Sequence, residues 1–253
     1  MISFFNKEWL ENIRNGKIYI SAFVFAIIGV LSPAIAKLTP ELYKMFADDL
    51  KESGMVITEV KVTAFDSYAQ FYKNMPMALI AFVLIFAGFM TVEYQKGTLV
   101  MMITKGLSRR KVLYAKSAFL LITWSVMYFV SFFITHGYTL FYWDVSKVKN
   151  LAFAVIIMYV FGVYVLSLMI LFSVISKTMS GVLIGCGGTV FAFSLLSIIP
   201  KCAKYFPNKL MDGMALLKGD LNTGDYKYAV VVTIILIIFN IGISSYIFKK
   251  KAL

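Results

Sequence analysis

Apolar residues run along this chain in long, unbroken stretches, and charge is confined to what lies between them. Six stretches contain no Asp, Glu, Lys or Arg: 18–36, 74–92, 117–143, 150–176, 178–200 and 228–248. At ~1.5 Å per helical residue, even the shortest approaches the ~30 Å hydrocarbon core of a bilayer. Each predicts a membrane-spanning helix, the third ending near 140 and the fourth starting near 151. Residues 1–17 follow another rhythm. Ile2, Phe5, Trp9 and Ile13 step by three or four, with Lys7, Glu8, Glu11 and Arg14 largely opposite. That spacing predicts an amphipathic helix lying in the interface and anchoring the first span.

The first run also has the look of a secretory signal, with Ala34-Ile35-Ala36 as its cleavage site. Glu8 and Glu11 argue against it, because such a start is basic only. The run is therefore read as a true span, kinked or ended near Pro33. In the connection 37–73, Leu42, Met45, Phe46 and Leu50 make a short amphipathic stripe. Tyr68, Phe71 and Tyr72 read as aromatic anchors just outside the second span. The connection 201–227 holds five lysines with Gly213, Gly219 and Gly224, and reads as irregular and solvated.

The clearest punctuation lies in 93–116, where six basic residues meet one acid, Glu93. Gly97 suits a left-handed helix stop and Thr98 a helix start; Gly106 and Ser108 repeat the pair. Lys96 and Lys105 each fall in a last turn, where a cation complements the helix dipole. The stretch thus predicts one span ending, a short surface helix, and another span beginning. The short helix would offer Leu99, Met102 and Ile103 on one side. A plain basic loop explains the charge but not two stop–start pairs in so short a span.

Composition narrows the class. The chain is 60% hydrophobic and only 15% charged, with mean hydropathy +0.81, which is a membrane composition. Its net charge of +12 flanks apolar spans instead of covering one face, so it does not point to nucleic acid. Cys186 and Cys202 have no metal or redox spacing, and His136 stands alone, so no metal site is expected. The side bearing the termini has the shorter, more densely basic segments, which places both termini in the cytoplasm. In the fifth span Gly181 and Gly185 sit four apart, as in close helix packing or a subunit interface.

The order Glu93, then Gly97-Thr98-Leu99, then Leu107-Ser108-Arg109, then Lys116 resembles the permease subunits of type-2 ATP-binding-cassette (ABC) exporters. One departure is Lys105-Gly106, where many members have a proline. The resemblance implies an all-α membrane protein of six transmembrane helices with an N-terminal interfacial helix. It implies that 93–116 is a coupling loop whose short helix docks on an ABC ATPase subunit. Glu93, Gly97, Thr98, Leu99, Met102, Ile103, Gly106, Ser108 and Arg109 are then the coupling residues. It further implies a homodimer with the substrate path between copies, lined by the second and fifth spans. By span, that points to Leu79, Phe82, Phe86, Phe89, Phe191 and Ser194.

Absences separate the function classes. No Gly-x-x-x-x-Gly-Lys-Ser/Thr run occurs, so no ATPase site or cofactor is expected on this chain, and ATP and Mg belong to a partner. No ionisable group lies within the runs, which weakens a proton- or sodium-coupled secondary transporter. A non-transporting membrane scaffold is the other alternative. An uncharged, Phe- and Met-rich interior suits an amphipathic cargo, a small or antimicrobial peptide before a hydrophobic drug. The expected setting is the plasma membrane of a bacterium.

Overall fold

The computed structural model describes residues 2–45, 61–104, 106 and 108–251. It is all helix and short turns: α1 (Ile2–Arg14), α2 (Lys17–Met45), α3 (Ala64–Phe86), α4 (Thr91–Gln95), α5 (Thr98–Thr104), α6 (Arg109–Tyr142), α7 (Leu151–Ile175), α8 (Met179–Leu196), α9 (Pro200–Ala203), α10 (Met214–Lys218) and α11 (Lys227–Lys250). Among the described residues, six stretches are long and apolar enough to cross a membrane; α3 and α4 form one of them. An even number of crossings leaves α1 and the end of α11 on one side, called here the terminal side.

The spans form two groups. In one, α2 packs against both α3 and α6; in the other, α7 packs against α8 and α11. The groups meet where α7 touches α6 and α3. Aromatic rings fill the first group: Phe25, Phe82 and Trp124 meet edge to face at 5.6–6.3 Å, and Phe86 stacks below them on Phe82. Trp124 is wholly buried, and α7 reaches it through Gly162. A Cβ there would lie 2.0 Å from Trp124 Cζ2. Gly162→Ala is accordingly expected to cost about 1–3 kcal/mol through overpacking, read as a lowered melting midpoint in detergent, with Trp124→Phe in the same chain recovering part of it.

Three expectations need correction. Helix α2 does not end at Pro33; it runs on to Met45 with Pro33 and Pro40 inside it. Proline removes the donor to the carbonyl four residues back, which is that of Gly29. Thr135 Oγ1 of α6 donates to this same oxygen at 2.9 Å, so the orphan acceptor is satisfied from a neighbouring helix, as membrane helices allow. Phe46 and Leu50 of the predicted stripe lie outside the described residues.

Secondly, α3 starts at Ala64, ten residues ahead of its apolar run. The Thr63 N–H and hydroxyl both donate to Asp66 Oδ2, at 2.7 and 3.0 Å, fixing the helix start. Tyr68, Phe71 and Tyr72 are therefore buried inside the bundle and are not interfacial anchors. Tyr68 Oη lies 2.6 Å from His136 Nδ1, which makes the lone histidine a packing residue between α3 and α6.

Thirdly, 201–227 is not irregular throughout: it folds into short helical turns, although 218–220 and 222–225 stay exposed. The 3-10 turn Pro207–Met211 packs against α7 and α11, and Leu210, Leu216, Leu217 and Tyr226 are buried. The phenol of Tyr226 donates to the Asp212 carbonyl, closing the segment on itself.

Candidate coupling site and translocation cleft

On the terminal side a charged clasp joins three helices. Lys116, in the second turn of α6, is buried, and its ammonium makes three hydrogen bonds or ion pairs: Glu8 Oε2 of α1 at 2.8 Å, the Phe89 carbonyl at 2.9 Å and Glu93 Oε1 of α4 at 3.1 Å. Two of these are hydrogen bonds, to Glu8 and to the Phe89 carbonyl, and the third is an ion pair with Glu93. Lys7 closes the arrangement from outside, at 3.0 Å from Glu93, 3.2 Å from Glu11 and 3.5 Å from Glu8. Glu8, Lys116 and Glu93 are each under 9% exposed.

The clasp revises the face assigned to Glu8. The sequence puts it among the polar residues of α1, but it is buried on the face that carries Phe4. Burial pushes the Glu8 carboxyl above the ordinary carboxylate range, and Lys116 pulls it partway back. For Lys7, burial works downward, yet Glu93, Glu8 and Glu11 together hold the ammonium above its usual value.

Both stops predicted in 93–116 appear as left-handed glycines, Gly97 at φ 67° and Gly106 at φ 90°. Such φ values favour glycine because it has no Cβ. Helix α5 begins at Thr98, so the residue ahead of it is Gly97 and Thr98 is its first helical position. Ser108 caps α6, its hydroxyl oxygen accepting from the Lys111 N–H at 3.4 Å. Arg109 is turned toward the end of α11: its guanidinium donates to the carbonyls of Lys249 and Lys251. Within α5, Leu99 is wholly buried in the core, while Met101 is 58% exposed and Thr104 is exposed. The side chains of Met102 and Ile103 lie outside the described residues. Leu99 thus holds α5 to the bundle, and the outward position that the sequence did not single out is Met101.

Between α3 and α8 the two groups of spans leave an apolar cleft of about 430 Å³. Leu79, Phe191 and Ser194 line it, with Val83, Cys186 and Gly187 among the others. Its lining includes no acidic or basic side chain. Phe82 and Phe86 do not line it; they are wholly buried in the aromatic core. Phe89 is half-buried, and it is its carbonyl that meets Lys116. Met211 of the folded far-side segment also lines the cleft, and Asn208 beside it donates to the Val190 carbonyl at 3.2 Å and to Ser194 Oγ.

The glycines of α8 divide into two sets. A Cβ on Gly185 would lie 2.3 Å from the Phe172 ring of α7, and one on Gly181 would lie 2.1 Å from Ser176 Oγ. These two serve packing within the chain. Gly187 and Gly188 face open space, and with Ile184 and Phe191, both exposed, they mark the outward side of the helix.

Comparison with curated proteins and with solved structures returned no match. The family described as ABC-2 family transporter protein matches residues 2–253, nearly the whole chain. With six membrane-length helices across that same range, the chain belongs to the ABC-2 transporter permeases, the membrane subunits of ABC transporters, which do not themselves carry the ATPase site and work with an ABC ATPase partner.

Proposed function

We propose that this permease exports an amphipathic cargo, a small or antimicrobial peptide before a hydrophobic drug, from the cytoplasm of a bacterium. The observation that carries the reading is the cleft between α3 and α8. It is apolar along its length and without acidic or basic side chains. A cargo with an apolar face fits such a wall. A proton- or sodium-coupled carrier needs an ionisable group at membrane depth, and this cleft offers none.

In this reading the terminal side is cytoplasmic, where the ATPase holds ATP and Mg and docks on 93–116. Two copies of the chain place two clefts face to face, with the outward side of α8 at Gly187 and Gly188 next to the second copy. ATP binding draws the ATPase subunits together and moves α5. The left-handed glycines on either side make α5 a separate short rod, and Leu99 transmits its displacement to the core. The clasp of Lys116 with Glu8 and Glu93 makes α1, α4 and α6 move as one body. Glu93, Gly97, Thr98, Gly106, Ser108 and Arg109 shape and hold this region; Met101 faces the docking side, and Met102 and Ile103 are coupling residues of the same helix.

The test fills the cleft. Gly187→Phe adds a ring where a Cβ meets open space, so the fold should tolerate it. In vesicles containing the permease and its ATPase, cargo-stimulated ATP hydrolysis should fall to the basal rate. Full stimulation in Gly187→Phe, with the melting midpoint unchanged, would reject the cleft as the path.

A further inference from the structure

The clasp has a consequence for the rest of the terminal side. Its acids, Glu8, Glu11 and Glu93, are all engaged by Lys7 and Lys116, and every ion pair among the described residues involves one of those two lysines. A second group of cations, Arg109, Arg110, Lys177, Lys249, Lys250 and Lys251, has no carboxylate partner among the described residues. They converge because three helix ends meet. Arg109 at the start of α6 donates to carbonyls at the end of α11. Lys251 reaches past α11 to the Val174 carbonyl at the end of α7 and covers the Tyr94 ring at 4.4 Å. Lys177 follows α7 directly; burial and then the nearness of Lys177 hold the Lys251 ammonium below its usual value. Arg109 and Lys251 are occupied in capping helices, whereas Arg110, Lys249 and Lys250 are exposed.

Their position on the helices indicates what neutralises them. On α11, Val231, Ile235, Ile238 and Tyr246 form an exposed apolar stripe, at steps of four, three and eight residues. The same stripe arrives at Lys249 and Lys250. On α6 the exposed Leu121, Tyr114 and Arg110 make a parallel descent from apolar to aromatic to cationic. The stripes adjoin, because the Tyr114 hydroxyl donates to Ser245 Oγ at 3.1 Å. Acyl chains fit the stripes, the two tyrosines sit at headgroup depth, and the cations lie where a phosphate follows. A docking protein would leave the apolar stripes unexplained.

We propose that the terminal-side ends of α6 and α11 form a binding site for an anionic phospholipid, with Arg110, Lys249 and Lys250 holding the phosphate. Cations at the membrane surface each strengthen such binding, so losing three weakens it on the order of 100-fold.

The site is tested on the full chain, without the ATPase. The purified permease is delipidated and exchanged into mixed micelles with phosphatidylglycerol or phosphatidylcholine, and retained lipid is counted by native mass spectrometry. Wild type should retain phosphatidylglycerol and not phosphatidylcholine. The triple variant Arg110→Gln, Lys249→Gln, Lys250→Gln should lose it, and Arg110→Lys, Lys249→Arg, Lys250→Arg should keep it. A control with Lys209→Gln and Lys218→Gln on the far side should also keep it. Because the single variant Lys250→Gln changes an exposed side chain that touches only Tyr246 of its own helix among the described contacts, it supplies an intermediate loss if the triple variant is poorly folded. Equal retention of both lipids by wild type, or undiminished phosphatidylglycerol in both glutamine variants, overturns the proposal. So does displacement of the lipid by millimolar inorganic phosphate, which would assign the cations to a soluble anion. If the triple variant keeps its lipid and, in a separate pull-down with the ATPase, no longer binds it, the patch is a protein contact and the lipid site is rejected.

Discussion

Lys116→Met is expected to be the most damaging single substitution in the chain. The methionine fills nearly the same space, so what is lost is the charge. Glu8 and Glu93, with side chains 4% and 8% exposed, are left with only Lys7 from one edge, and the Phe89 carbonyl loses its donor. Breaking a buried ion pair by removing one partner costs about 3–5 kcal/mol. For a chain of this length that is roughly a 10 °C fall in the melting midpoint in detergent. Adding Glu8→Gln should recover part of it, because Glu93 still has Lys7 at 3.0 Å. A pH dependence follows as well. The Glu8 carboxyl stands above its ordinary value, so the folded chain binds more protons than the unfolded one between those two values. Stability contributed by this group therefore falls as pH rises through that interval and returns as pH is lowered. Without Lys116 the effect grows, and the variant should melt measurably higher at about pH 5 than at about pH 8. A melting midpoint equal to wild type at both values would show that the clasp does not hold the three helices together.

The clasp also marks how far the sequence can be read. Its acid at the end of one apolar run and its lysine at the head of the next are visible as Glu93 and Lys116, and the stop–start glycines between them announce themselves by type. Six spans follow from length and hydropathy alone. Glu8 does not follow, because helical periodicity assigns it to a polar face and only the packing of α1 against α6, beside Glu93 of α4, gives that face a buried partner. The same limit applies to the early start of α3. Asp66 and Lys73 interrupt the apolar run, yet Thr63-Ala-Phe-Asp66 is a capping box that could have been recognised. Nothing in local spacing tells that the Gly29 carbonyl, orphaned by Pro33, finds Thr135, or that residues 207–211 fold back against α7. Those are decisions of tertiary packing. The path residues divide for the same reason: Leu79 reaches the cleft while Phe82, three residues on, packs against Phe25 of α2 and Trp124 of α6.

Within α5, that same division of faces predicts two different failures from two neighbouring positions. Leu99 is wholly buried and Met101 is 58% exposed. Leu99→Ala removes packing between the short helix and the bundle, at about 2–5 kcal/mol for a buried leucine. The chain should melt lower, and coupling should loosen because the rod is no longer fixed to what it moves. Met101→Asp changes an exposed side chain, so the melting midpoint should stay within about 1 °C of wild type, as for most surface changes. If α5 is the docking element, the new carboxylate is placed in an apolar contact with the ATPase. A hot-spot loss of about 2 kcal/mol or more corresponds to at least roughly 30-fold weaker association. In vesicles the Met101→Asp permease should then lose cargo-stimulated hydrolysis while the ATPase alone is unaffected. The opposite pattern, a stable Met101→Asp chain that binds its ATPase and responds to cargo like wild type, would remove α5 from the coupling path and leave α1 and the clasp as the only route by which work could enter the spans.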